Sequence, residues 1–158
     1  MKRRTILASL VVFLCGALVG LAAETDLSKF MGTWKLNEGK SKLAPGATKI
    51  TSVTYATSGD SIKITTDGMD KDGKPTHTEW TGKFDGKDYP VTGQSGYDSR
   101  SYTKVDDNTL NMTIKSKGKV VASGTIKVSA DGKSRTVDTK GMDPKDTSMD
   151  ATAVYDKQ

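Results

Sequence analysis

Apolar residues in this chain recur at every second position, in short runs that residues favouring tight turns cut off before any helix could form. Trp34 and Leu36, Val53 and Tyr55, Ile62 and Ile64, Leu110, Met112 and Ile114, and Ala151, Ala153 and Tyr155 all follow that spacing, and Ala122, Ile126 and Val128 follow it with one small residue between. Successive side chains of a strand point to opposite faces, so each run gives one apolar and one polar face. Between the runs lie Ser58-Gly59-Asp60, Asp67-Gly68, Asp72-Gly73, Asp85-Gly86, Gly93 to Gly96, Asp106-Asp107-Asn108, Lys117-Gly118, Asp131-Gly132 and Gly141 to Pro144. This punctuation predicts about ten strands, near 32–37, 49–57, 61–66, 77–84, 88–92, 98–105, 109–115, 119–128, 134–140 and 149–155, joined by hairpin connections.

The residue types agree with the spacing. Thr, Val, Ile and Tyr dominate the runs, and these side chains suit a pleated, half-buried surface. An all-β fold follows. Short connections favour an up-and-down antiparallel β-barrel of about 8–10 strands, because closure removes the unpaired edges that an open sheet of this size would expose. A β-sandwich is the alternative, but its crossovers need longer connections than the sequence provides.

The first 22 residues stand apart. Lys2, Arg3 and Arg4 precede an apolar stretch from Ile6 to Leu21, and small residues follow at Gly20, Ala22 and Ala23, which is the layout of a secretory signal peptide cleaved after Ala22. The expected organisation is therefore a signal peptide over 1–22 and one barrel domain over 23–158, exported to the periplasm or secreted. An uncleaved anchor is the competing reading of the same stretch. The formal charge of +5 belongs largely to this leader: without its three cations, 21 of the 24 Lys and Arg face all 19 Asp and Glu. With those charges interspersed, no basic stripe for nucleic acid is formed. The only Cys, Cys15, also lies in the leader, so the domain is expected to hold together without a disulfide.

Phe30-Met31-Gly32-Thr33-Trp34-Lys35-Leu36-Asn37 resembles the first-strand motif of lipocalins and fatty-acid-binding proteins, the calycin barrels, in which Gly-x-Trp follows an apolar residue. The resemblance implies that Gly32 lets the strand enter tightly and that Trp34 plugs one end of the barrel. Val154-Tyr155-Asp156-Lys157 is similar to the closing strand of such a barrel. Two departures bear on function. Glu38 to Thr48 is too short and too broken by Gly39, Pro45 and Gly46 to build the helical lid of fatty-acid-binding proteins, and Ala153-Val154-Tyr155 stands where their Arg-x-Tyr carboxylate clamp would lie.

Chemistry is sparse. The lone His77 lies on a polar strand face, no Gly-x-Ser-x-Gly elbow accompanies it, and no enzymatic activity is expected. Asp67 to Gly73 glances at a calcium loop, but counting from Asp70 puts Lys74 and Thr81 at the positions where oxygen ligands are needed. It reads as a polar hairpin, and neither a metal nor a cofactor is expected. Arg100 and Tyr102 share a strand face. If that face is the barrel interior, they form a ligand-binding pair and imply an acidic ligand or an internal carboxylate, because buried charge needs a partner. In the alternative arrangement Ser101, Thr103 and Val105 point inward and Arg100 is solvated. The expected function is a monomeric, lipocalin-like exported barrel binding a small hydrophobic or amphipathic ligand, with no membrane span after cleavage. The alternative is a filled barrel acting as a structural or protein-interaction module of the cell envelope.

Overall fold

The computed structural model describes residues 26–93, 95–142 and 150–158. The proposed signal peptide lies outside the described residues. Eleven strands form: β1 (Gly32–Leu36), β2 (Lys42–Leu43), β3 (Lys49–Ser58), β4 (Ser61–Met69), β5 (Pro75–Gly82), β6 (Tyr89–Gly93), β7 (Ser99–Asp106), β8 (Thr109–Ser116), β9 (Lys119–Val128), β10 (Ser134–Gly141) and β11 (Ala151–Lys157). Each strand from β3 to β11 pairs antiparallel with the next, and β1 pairs with both β3 and β11. Ten strands thus close an up-and-down barrel, and the sandwich is excluded.

The extra strand, β2, continues the line of β1 along β11. Leu36 pairs with Tyr155, a 3-10 turn over Glu38–Lys40 interrupts, and Leu43 then pairs with Ala151. Across the gap the Val154 backbone N–H donates to Ser41 Oγ at 2.9 Å, so a hydroxyl stands in for the missing carbonyl. No helical lid forms in this segment, as its Gly and Pro content predicts.

The alternating apolar residues all turn inward, and Phe30, Trp34, Ile64, Trp80, Tyr102 and Leu110 are the largest of the fully enclosed side chains. One end is plugged. The N-terminal turn reaches it, the Trp34 indole donates to the Phe30 carbonyl at 2.9 Å, and Phe30, Phe84, Trp80 and Tyr102 pack edge-on or stacked beside it. Trp34 is therefore completely enclosed beside the N-terminal turn. Gly32 has φ of +102°, a left-handed conformation that a side chain would strain, which accounts for glycine at the strand entry.

The hairpins β3–β4, β5–β6, β7–β8 and β9–β10 turn at the plugged end, and β4–β5, β6–β7 and β8–β9 turn at the far end. The seam at β6 is the thinnest in the barrel: β6 and β7 share only the pairs Tyr89 with Arg100 and Pro90 with Ser99. Gly93, at the end of β6, has φ of +99° and lies so close to the His77 carbonyl that a Cβ would meet it at 2.2 Å.

Candidate functional site

Arg100 points inward. It is the second residue of β7, 7% exposed, and Tyr102 beside it is almost completely enclosed, whereas Thr103 and Val105 face solvent with Val105 55% exposed. The arrangement with Ser101, Thr103 and Val105 turned inward is thus corrected. Ser101 is shielded as well, on the other face of the strand. The Arg100 guanidinium donates from Nη1 to Tyr102 Oη at 2.9 Å and from Nη2 to Tyr97 Oη, and it stacks over the Tyr97 ring at 5.0 Å. Tyr97 comes from the β6–β7 connection at the far end.

A second guanidinium shares the interior. Arg135, the second residue of β10, is 2% exposed and has no counterpart among the residues singled out from the sequence. It pairs across the ladder with Tyr155, and its guanidinium sits among three rings: Tyr155 at 4.7 Å, Tyr55 at 5.0 Å and Trp34 at 5.2 Å. The calycin-type clamp is indeed absent from β11 itself, but an Arg and a Tyr are brought together on adjacent strands instead.

Neither guanidinium has a carboxylate within ion-pairing distance among the described residues; every ion pair there lies on exposed or partly exposed side chains. Three buried donors have no partner: Arg100 Nε, Arg135 Nε and Arg135 Nη1. The phenols do not supply the missing charge. Burial holds the Tyr102 hydroxyl well above the usual phenol range despite the opposing pull of Arg100, and burial likewise pushes Tyr155 up to about 12. Burial alone would weaken the Arg100 cation, but the Tyr102 and Tyr97 oxygens outweigh it and hold the guanidinium charged. Among the described residues the interior thus holds two guanidiniums and no carboxylate.

The outer surface offers less. A concavity of about 890 Å³ is lined by triplets centred on Leu43, Met112, Gly124, Thr139 and Ala151, with none of the inward side chains two positions away. It is the waist of the barrel seen from outside, spanned by hydroxyl contacts such as Thr152 Oγ1 to Asp138 at 2.7 Å. Neither arginine touches it.

His77 is 54% exposed on the outer face of β5, with Nδ1 at 2.7 Å from Asp67 Oδ1 across the ladder and Nε2 at 3.7 Å from Glu79. The Asp67 hydrogen bond, with the charges of Asp67 and Glu79, raises its pKa above the ordinary 6.5 against the opposing effect of desolvation. The protonated pair accordingly favours the folded state fully below about pH 6.5, and that contribution is lost as pH rises through the higher folded value. Solvent exposure keeps it small. An NMR titration of this single histidine should give a midpoint above 6.5 that falls in Asp67→Asn; a midpoint of 6.5 or below would show that the pair does not form.

The Asp67–Gly73 segment is a hairpin. Asp67 to Met69 belong to β4, and the Asp70 carboxylate caps the turn by accepting from the Asp72 and Lys74 backbone N–H groups, both at 2.9 Å. Its carboxylate oxygen is committed to the turn. No group of three or more metal-ligating side chains gathers among the described residues.

The sequence matches no protein-family model and no curated protein. Among solved structures, the chain is similar to a protein described as "Structure of a redesigned beta barrel, mFAP1, bound to DFHBI". The identity is 18%, the TM-score is 0.45, and the match covers 84% of this chain and 99% of that one.

Proposed function

We propose that this barrel is a non-enzymatic, exported binding protein that holds a small, partly apolar acid in its interior. The carrying observation is the pair of buried guanidiniums, Arg100 and Arg135, with unpartnered N–H donors and no carboxylate facing them among the described residues. Burying an ion without a counter-charge costs several kcal/mol, about as much as one or two large core side chains contribute. A chain whose apolar content is only 34% even with its leader included has little stability to give up, so an anionic ligand that offsets this cost explains why both arginines are there. The rings around them, Trp34, Tyr55, Tyr97, Tyr102 and Tyr155, supply the apolar half of the site. Export rests on the leader sequence, and the placing of His77 on the outer face supports a binding role over a catalytic one.

Both tryptophans report on this site. Trp34 stacks on Arg135, and the Trp80 indole donates to the Arg100 carbonyl at 2.9 Å. Titrating a panel of aliphatic and aromatic acids should shift or quench the intrinsic fluorescence, while the matched amides should not. The packed plug of Phe30, Phe84, Trp80 and Tyr102 favours a second reading, a filled barrel with a purely structural role. No response to any acid in the panel would leave that reading standing and remove the first.

A further inference from the structure

We infer that the molecule held between Arg100 and Arg135 carries two negative charges, as a phosphate monoester or a dicarboxylate does, and not the single charge of a simple fatty acid. This rests on the reading of the interior as a ligand site and adds the charge class of its occupant.

The argument is one of charge and of donors left over. Two guanidiniums are buried inside one barrel: Arg135 is surrounded by Trp34, Tyr55 and Tyr155, and Tyr155 lies within electrostatic reach of both Arg135 and Arg100. Burial holds Tyr102 and Tyr155 in the neutral phenol form, and no carboxylate faces either cation among the described residues. A singly charged ligand would answer one and leave the other buried and unbalanced.

The two arginines are also incomplete in the same way. Rings can satisfy the faces of a guanidinium, but its N–H groups point outward in the plane, where only an acceptor satisfies them. The rings around Arg135 cover faces, while its Nε and Nη1 remain without partners. Arg100 spends Nη1 and Nη2 on two phenols and keeps Nε free. Free donors on both residues call for oxygen acceptors at both, and charge-assisted bonds of this kind are about twice as strong as neutral ones. A phosphate monoester offers its oxygens and both charges on one atom cluster; a dicarboxylate offers them at two points of a skeleton.

The test uses matched pairs: octyl phosphate against octyl sulfate and phenyl phosphate against phenyl sulfate, near-isosteres of different charge, and decanedioate against decanoate, which differ by a second terminal carboxylate. Binding is read by tryptophan fluorescence and calorimetry at pH 8, where a phosphate monoester with second pKa near 6 is fully dianionic, and at constant ionic strength because salt screens such contacts. The expected result is that in at least one pair the dianion binds about tenfold tighter or more, that the preference collapses towards unity in Arg135→Gln and in Arg100→Gln, and that Arg135→Lys keeps it. The pair that shows the preference separates the arms: the phosphate–sulfate pairs report a phosphate monoester, and decanedioate against decanoate reports a dicarboxylate. Equal affinity for both members of every pair would overturn the inference while leaving an acid-binding barrel intact. Absence of binding by all six would overturn the acid-binding reading itself and this inference with it.

Discussion

Trp34→Ala should cost the barrel about 3–5 kcal/mol, enough to unfold a domain of ordinary stability at moderate urea. Trp34 is completely enclosed and sits on β1, the strand whose pairing with β3 on one side and β11 on the other closes the barrel. Truncation removes the largest side chain of the plug, leaves the Phe30 carbonyl without its 2.9 Å indole donor, and strips one ring from Arg135. It also removes the ring under the Lys157 ammonium, 5.1 Å away. Trp34→Phe keeps a ring but not the N–H, so about 1–2 kcal/mol should be lost. Urea unfolding followed by the remaining Trp80 measures both, and an unchanged slope with a lowered midpoint identifies a loss of native stability. A loss under about 1 kcal/mol for Trp34→Ala would mean that the plug is not what holds the closure together.

The fold was legible because the apolar period is strict wherever one face is buried. All ten expected strands form within a few residues of their predicted bounds, and the sets led by Leu110, Ala122 and Ala151 face inward as their spacing requires. β2 left no trace in the sequence. Its two residues are too few for a period, and it forms only because Ser41 and the ladder of β11 extend the line of β1.

The orientation of β7 was harder to read, and its geometry says why. Asp106 pairs with Thr109 across a two-residue turn, and continuing that register would set Val105 opposite Leu110, Thr103 opposite Met112 and Ser101 opposite Ile114, all inward. Instead the register slips by one at Val105, so that Lys104 pairs with Leu110, Tyr102 with Met112 and Arg100 with Ile114. One extra residue in a strand reverses the facing of everything beyond it. The bulge puts an apolar Val105 in solvent and carries an arginine into the core. Arg135 was readable in principle, since it shares parity with Val137 and pairs with Val128 of an unambiguous set. Its charge is the reason the sequence does not mark it as inward, since an arginine in a strand is ordinarily solvated.

Arg135→Met should stabilise the ligand-free barrel by about 1–3 kcal/mol while weakening acid binding. The guanidinium loses its hydration on burial, a cost of several kcal/mol, and its two orphaned donors add roughly 1–3 kcal/mol each. Against this stand three ring contacts, at about 0.5–2 kcal/mol apiece. The costs outweigh the gains, and methionine fills a similar volume with a thioether that packs well on aromatic rings. No acceptor is stranded by the change, because the Arg135 side chain makes no hydrogen bond among the described residues. Arg100→Met behaves differently: it takes a donor from the buried Tyr102 hydroxyl and the half-buried Tyr97 hydroxyl, so its gain should be smaller or reversed. Thermal unfolding with and without a bound acid separates the two effects, since a ligand stabilises in proportion to the logarithm of its concentration over Kd. The wild type should gain stability from the acid, and Arg135→Met should start higher and gain less. A variant less stable than wild type without ligand would show that the rings alone compensate the ion, and the structural reading of Arg135 would then replace the ligand-binding one.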